Sequence, residues 1–186
     1  MNERIVSGKP HEDDYSLDTS LRPRRLAEYV GQDNVKSNLE IAIKAAQQRG
    51  EPLDHILLHG PPGLGKTTLA NIMATEMGVR IKTTSGPAIE RPADMVSILT
   101  RLQPHEVLFV DEVHRFNKSQ QDAFLPHIEN GTFIFVGATT ENPSFELNSA
   151  LLSRTRVYVL KNLERDDILQ LLNRALTSDA GFGGDR

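Results

Sequence analysis

An α/β fold, with a parallel five-stranded sheet covered by helices on both faces, follows from two features of the sequence. Five short apolar or β-branched runs alternate with amphipathic helical stretches along the 186 residues. That alternation places parallel strands between two layers of helices. The first run also ends in a glycine-rich loop that opens directly into a helix, the connection typical of an open α/β sheet.

Each element can be justified in order. Asp33 and Asn34 can cap a helix over residues 33–49, because Val35, Leu39, Ala42, Ile43 and Ala46 fall on one stripe and Gly50 stops it. Residues 55–59 form a short apolar run ending at glycine, a buried strand. The loop 60–65 follows, then a helix over 66–77, ended by Gly78. Residues 79–84 make a second strand, and 93–102 a helix behind Pro92. The third strand, 106–111, is the most apolar in the chain. A helix over 119–129 is interrupted or bent near Pro126. After a turn at Gly131, residues 132–139 form the fourth strand. Residues 149–153 are helical, 156–160 are the fifth strand, and 164–176 are a closing helix with Ile168, Leu171, Leu172 and Ala175 on one side.

One domain, 21–178, accounts for this pattern. Residues 1–20 read as a solvated tail with the acidic run His11-Glu12-Asp13-Asp14, and 179–186 as a frayed, glycine-rich end. The chain has no cysteine, which excludes disulfides and cysteine-bound zinc. Its longest apolar runs, such as Val107 to Val110, are far too short to span a membrane, and the first 20 residues lack a signal core. A cytoplasmic location is the resulting expectation. The net charge of −4 gives no overall support for nucleic-acid binding.

Gly60-Pro61-Pro62-Gly63-Leu64-Gly65-Lys66-Thr67 fits the phosphate-loop pattern G-x-x-x-x-G-K-[ST] at every fixed position. It also lies between a strand and a helix, where that pattern works. Glycines let backbone N–H groups converge on an anion, and the helix N-terminus adds its dipole. Lys66 is expected to reach the β- and γ-phosphates of ATP, Thr67 to ligate Mg²⁺, and Thr68 to add an α-phosphate contact. The third strand ends in Asp111-Glu112, the Walker B pattern. Asp111 is expected to hold Mg²⁺ and Glu112 to act as general base on the attacking water. Taken alone, an acidic helix cap would read the same way. One strand intervenes between the two motifs, as in P-loop ATPases with sheet order 5-1-4-3-2.

The fourth strand runs into Thr140-Glu141-Asn142. Thr140, with Asn142 behind it, is a candidate sensor of the γ-phosphate; the alternative is turn chemistry before Pro143. Arg154 is a candidate arginine finger reaching a neighbouring subunit's ATP; the alternative is an ordinary surface arginine. His55, His59, His114 and His127 have no metal-ligand spacing.

These motifs carry a resemblance to AAA+ ATPases, and to two families within them. Leu21-Arg22-Pro23, Glu28 to Gln32, Arg49 to His55, the phosphate loop, Asn71 to Gly78 and Thr84 to Pro87 resemble RuvB, the Holliday-junction branch-migration motor. That resemblance covers residues ~21–115. From Asp111-Glu112-Val113-His114-Arg115 onward, Phe116 to Asp122, Gly137 to Phe145 and Leu151 to Arg154 resemble RarA (MgsA), a clamp-loader-related recombination factor. The Asp-Glu-x-His-Arg segment is similar in both and reads as a seam.

The RuvB resemblance implies nucleotide contacts at Leu21, Arg22 and Tyr29, and phosphate contacts at Gly63, Lys66, Thr67 and Thr68. The RarA resemblance implies a finger role for Arg154, with Thr155 where clamp-loader relatives carry cysteine. Together they imply a ring-forming homo-oligomer that hydrolyses ATP on branched or fork-like DNA. RuvB carries a hairpin for docking RuvA between its Walker B and sensor strands. Residues 113–131 are taken up by a helix, so RuvA coupling is not expected. The helical lid that follows the core in these families is largely missing. Three readings therefore stand: a DNA-recombination ATPase of RuvB or RarA type, a nucleotide-binding module without turnover of its own, and a composite whose halves do not pack.

Overall fold

The computed structural model describes residues 22–89 and 92–177. The expected tail 1–20, Leu21 and the expected frayed end lie outside the described residues. The elements are α1 (Asp33–Arg49), β1 (Ile56–His59), α2 (Lys66–Met77), β2 (Ile81–Ser85), α3 (Pro92–Leu99), β3 (Val107–Asp111), α4 (Lys118–Glu129), β4 (Ile134–Thr139), α5 (Pro143–Glu146), α6 (Ser149–Leu152), β5 (Arg156–Val159) and α7 (Arg165–Thr177). Short 3-10 turns cover Leu26–Glu28, Gly86–Ala88 and Val113–Arg115. The strands form one parallel sheet in the order β2-β3-β4-β1-β5, the expected 5-1-4-3-2 read from the other edge.

Strand alternation sorts the core into two layers. Ile56 and Leu58 of β1, Val107 and Phe109 of β3, and Ile134, Val136 and Ala138 of β4 face α1 and α2. Leu57, Leu108, Val110 and Phe135 face the opposite way, toward Met95, Leu99, Phe124, Ile128 and Leu151 of α3, α4 and α6. Phe124 packs on both Phe116 and Phe135, with ring centroids 5.6 and 5.5 Å apart.

The structure moves several boundaries, each for a local reason. The cap position of α1 is Gln32, left-handed at φ 58°, and Asp33 and Asn34 lie inside the helix. Asp33 pairs with Lys36 at 2.8 Å instead of capping. β2 starts at Ile81 because Gly78 and Val79 close the end of α2, donating to Thr75 and Ala74. α4 runs through Pro126 without interruption. Its start is fixed by an Asn117–Gln120 capping box, and the proline falls in its last turn. The apolar stripe on α7 is not core: no side chain of that helix is buried.

Gln121 of α4 is a polar side chain inside the second layer, 1% exposed. Its Nε2 donates to the carbonyls of Phe116 and Glu146, both at 3.0 Å, and its Oε1 accepts from Asn148 N at 2.8 Å. Asn148 in turn caps α6. One amide thus ties the segment after β3 to the segment after β4. Gln121→Ala leaves these buried groups unpaired. We expect it to lower stability by about 2–3 kcal/mol, measured by urea denaturation.

Candidate nucleotide site

The site is assembled where β1, β3 and β4 end. β1 delivers the chain to Gly60, whose N–H donates to Thr139 O at 3.1 Å and so ties the loop to the end of β4. Gly63 and Gly65 adopt φ of 80° and 77°, a left-handed backbone that favours glycine. Gly65 is the cap position of α2. The first-turn N–H groups of that helix have no partner within it and face the loop, which makes an anion site. Lys66 is buried, and its Nζ donates to the carbonyls of Gly60 and Pro61 at 2.7 and 2.8 Å. Burial lowers its pKa from the ordinary lysine value, and the nearby Asp111 carboxylate partly offsets this. Pro61 and Pro62 are exposed, and Leu64, Thr67 and Thr68 half-buried.

β3 delivers Asp111 and Glu112. Asp111 Oδ1 accepts from Glu112 N at 3.0 Å. Glu112 has φ 48°, a strained conformation for a residue with a side chain, and its carboxylate pairs with Arg115 Nε at 2.7 Å. Gly86, at the end of β2, makes this turn possible. A Cβ there would sit 2.6 Å from Glu112 O and 2.9 Å from Arg115 Cβ. Sequence reasoning had no signal for that close approach beyond the glycine itself.

Hard oxygen donors suit Mg²⁺, which keeps most of its waters and takes few protein ligands. Thr67, beside Lys66 in the first turn of α2, offers a hydroxyl, and Asp111, at the end of β3 and near enough to act on the Lys66 charge, offers a carboxylate. Among the described residues no cluster of three or more His, Cys, Asp or Glu could hold a metal by itself. The donor set therefore fits a cation held jointly with a phosphate ligand.

At the end of β4, Thr139 is buried and its hydroxyl bonds to His114 Nδ1 at 3.0 Å and to Glu141. Thr140 follows, half-buried at the same edge. Asn142 caps α5 by accepting from Ser144 N at 3.0 Å, so turn chemistry accounts for it.

Arg154 lies elsewhere. It precedes β5, which pairs in parallel with β1 from Ile56↔Arg156 onward. The phosphate loop follows the other end of β1, four residues on, a rise of about 13 Å. Arg154 therefore sits at the opposite edge of the sheet from its own phosphate loop. There its guanidinium contacts Glu129 at 2.5 Å and donates to Ala150 O at 2.9 Å.

Beside the loop is a cavity of about 240 Å³. Tyr29, Val30 and the Gly63–Gly65 backbone form one wall, and Leu171, Arg174 and Ala175 of α7 form another. Tyr29 OH donates to Leu64 O at 2.5 Å. Pro23 borders the cavity, and Arg22, exposed, precedes it. The α7 wall was not legible as part of the site. Gln32 secures this corner: its side-chain amide pairs with both backbone groups of Lys161, on the way from β5 to α7.

Burial raises the Tyr29 pKa from 10.0 to about 12. The unfolded state then loses this proton first as pH rises. The stability that goes with it is present below pH 10 and is lost between pH 10 and about 12. Tyr29→Phe is expected to show a shallower loss of stability than the parent over that window in pH-dependent thermal melts.

Among the described residues no helix is long and apolar enough to cross a membrane. The family model for the Holliday junction DNA helicase RuvB P-loop domain matches residues 21–166, a range that includes the Asp111–Arg115 segment. A curated relative, the Holliday junction branch migration complex subunit RuvB of Thermomicrobium roseum, is 61% identical over 131 residues, 70% of this chain and 37% of that protein. The solved Thermotoga maritima RuvB Holliday junction branch migration motor superposes with a TM-score of 0.79 at 44% identity, covering 84% of this chain and 54% of that one. A point mutant of the same motor, with arginine in place of a lysine, gives 0.80 at 43%, covering 85% and 55%. This chain thus spans between about a third and just over half the length of these relatives. On the family match and the shared P-loop geometry, it belongs to the RuvB P-loop domain family.

Proposed function

We propose that this domain binds Mg-ATP and hydrolyses it inside a homo-oligomeric ring, as the motor domain of a RuvB-type branch-migration ATPase acting on Holliday junction DNA. The observation that carries this reading is the division of the sheet: one edge gathers the phosphate loop, Asp111-Glu112 and Thr140, while Arg154 stands at the other. A cation at the far edge serves a phosphate only in a second copy.

The residues divide the work as follows. Gly60 to Gly65 and Thr68 seat the phosphates, and Lys66 turns from the loop carbonyls to the β- and γ-phosphate oxygens. Thr67 and Asp111 hold Mg²⁺, which when bound supplies positive charge against the phosphate oxygens. Leu21, Arg22 and Tyr29 contact the nucleotide. Glu112 takes the proton of the attacking water, whose oxygen bonds to the γ-phosphorus as the bond to ADP breaks. To do so its carboxylate must leave Arg115. Thr140 orients the γ-phosphate or the water, and Arg154 of the adjacent copy stabilises the transition-state charge.

Residues 112–133 hold a 3-10 turn and α4, and among the described residues no strand. The hairpin that the RuvB resemblance links to RuvA has no counterpart between β3 and β4. That favours a second reading for partner choice, a RarA-like ATPase at stalled replication forks that works without RuvA.

Glu112→Gln is expected to keep Mg-ATP affinity and to lower turnover by ~10²–10⁴; equal turnover in mutant and parent removes the base assignment. Arg154→Ala is expected to cost ~10³–10⁵ in rate at protein concentrations where the parent assembles, and little where it is monomeric. ATPase rate against protein concentration reads this directly. A rate loss independent of concentration would count against a finger acting between copies.

A further inference from the structure

Helix α7 has little to hold it against the rest of the domain. None of its side chains is buried, and Ile168, Leu171 and Leu172 stay 48%, 40% and 54% exposed. A helix of 13 residues without a buried face gains little from packing. At its start the N-terminal segment comes close: a Cβ on Gly31 would lie 2.9 Å from Leu163 Cδ2 and 3.1 Å from Asp167 Oδ2. At its last turn the tie is Arg174. Its Nη1 donates to the backbone carbonyl of Glu28 at 2.7 Å, and its Nη2 lies 3.7 Å from the Glu28 carboxylate. The first contact is a short charge-assisted hydrogen bond. The second is a half-exposed ion pair that contributes little.

Glu28 immediately precedes Tyr29, the residue that bonds the phosphate loop. Arg174 therefore bridges two walls of the 240 Å³ cavity, the Tyr29–Val30 segment and α7. The apolar residues that α7 turns to this space are Leu171 and Ala175, opposite Val30, Leu64 and the Tyr29 ring. A flat heteroaromatic base entering from the loop side would supply the apolar partner that the helix lacks.

We propose that Arg174 is a positioning residue for nucleotide binding: its bond to the Glu28 carbonyl holds α7 in place as the far wall of the base cavity. This rests on the ATP-binding reading and adds to it the element that closes over the base. Base contacts are the same in ATP and ADP, and in the ground and transition states. Losing the wall therefore weakens binding uniformly and leaves the chemical step alone.

The test uses the whole chain and three readouts: Mg-ADP and Mg-ATP affinity by calorimetry, steady-state kcat and KM for ATP, and hydrogen exchange over residues 165–177. Arg174→Ala is expected to weaken both nucleotides by the same factor, about tenfold. KM should rise, kcat at saturation should hold, and the nucleotide-dependent protection of α7 should be lost. Arg174→Lys, which can still donate to the carbonyl, should recover most of the affinity. A parent that binds neither nucleotide would overturn the ATP-site reading itself. A parent that binds, with an Arg174→Ala chain that binds equally well, would overturn the role of Arg174 alone. So would a loss confined to ATP, or a fall in kcat with KM unchanged.

Discussion

Parallel strand pairing is the constraint on which the rest of this structure depends. In a parallel sheet every strand ends at the same edge. The register fixes which residues meet there: Ser85 beside Asp111, Val110 beside Gly137, and His59 beside Thr139. The residues that follow the ends of β1 to β4 supply the proposed site or make room for it. Gly60 opens the phosphate loop, Glu112 follows Asp111, Thr140 follows Thr139, and Gly86 leaves space for the Glu112 carbonyl. The same rule sends Arg154, which enters β5, to the opposite edge. The proposed nucleotide site and the placement of Arg154 away from it are thus both consequences of one topology.

The strands that carry this arrangement were the most legible part of the sequence. β1, β3 and β4 are buried on both faces, so they read as continuous apolar runs. The phosphate loop and Asp111-Glu112 were legible because several residue types must occur at fixed spacing. Single residues with distant partners were not. Gln32 meets Lys161, Gln121 meets Phe116, Glu146 and Asn148, and Arg174 meets Glu28. Nothing local marks a glutamine or arginine as bonded to a backbone 129 or 146 positions away. The stripe on α7 misled for the opposite reason. Its period is helical, but the period does not say whether anything covers the face.

The segments before and after Asp111–Arg115, which the sequence likens to different families, share one core. β4 follows that junction, yet it lies between β1 and β3, which precede it. Gly137 of β4 sits against Leu57 of β1, where an added Cβ would lie 3.0 Å from Leu57 Cδ1. Thr139 bonds His114, and Phe124 and Phe135 pack with Leu57, Leu108 and Val110 in one cluster. Packing of this kind, with Gln121 bridging the segments after β3 and β4, argues against a composite whose halves fold apart. It also agrees with a family match that extends over both sides of the junction.

In the proposed ring one chain's site is completed by another chain's Arg154. Mixing two inactive variants tests it most directly. Glu112→Gln keeps the finger and loses the base; Arg154→Ala keeps the base and loses the finger. If the finger acts between copies, the mixture contains interfaces with both groups intact. ATPase activity then appears on mixing and peaks near equal proportions. If the mixture stays as inactive as its components, while both variants still bind Mg-ATP and assemble, the division of labour between the two sheet edges is wrong.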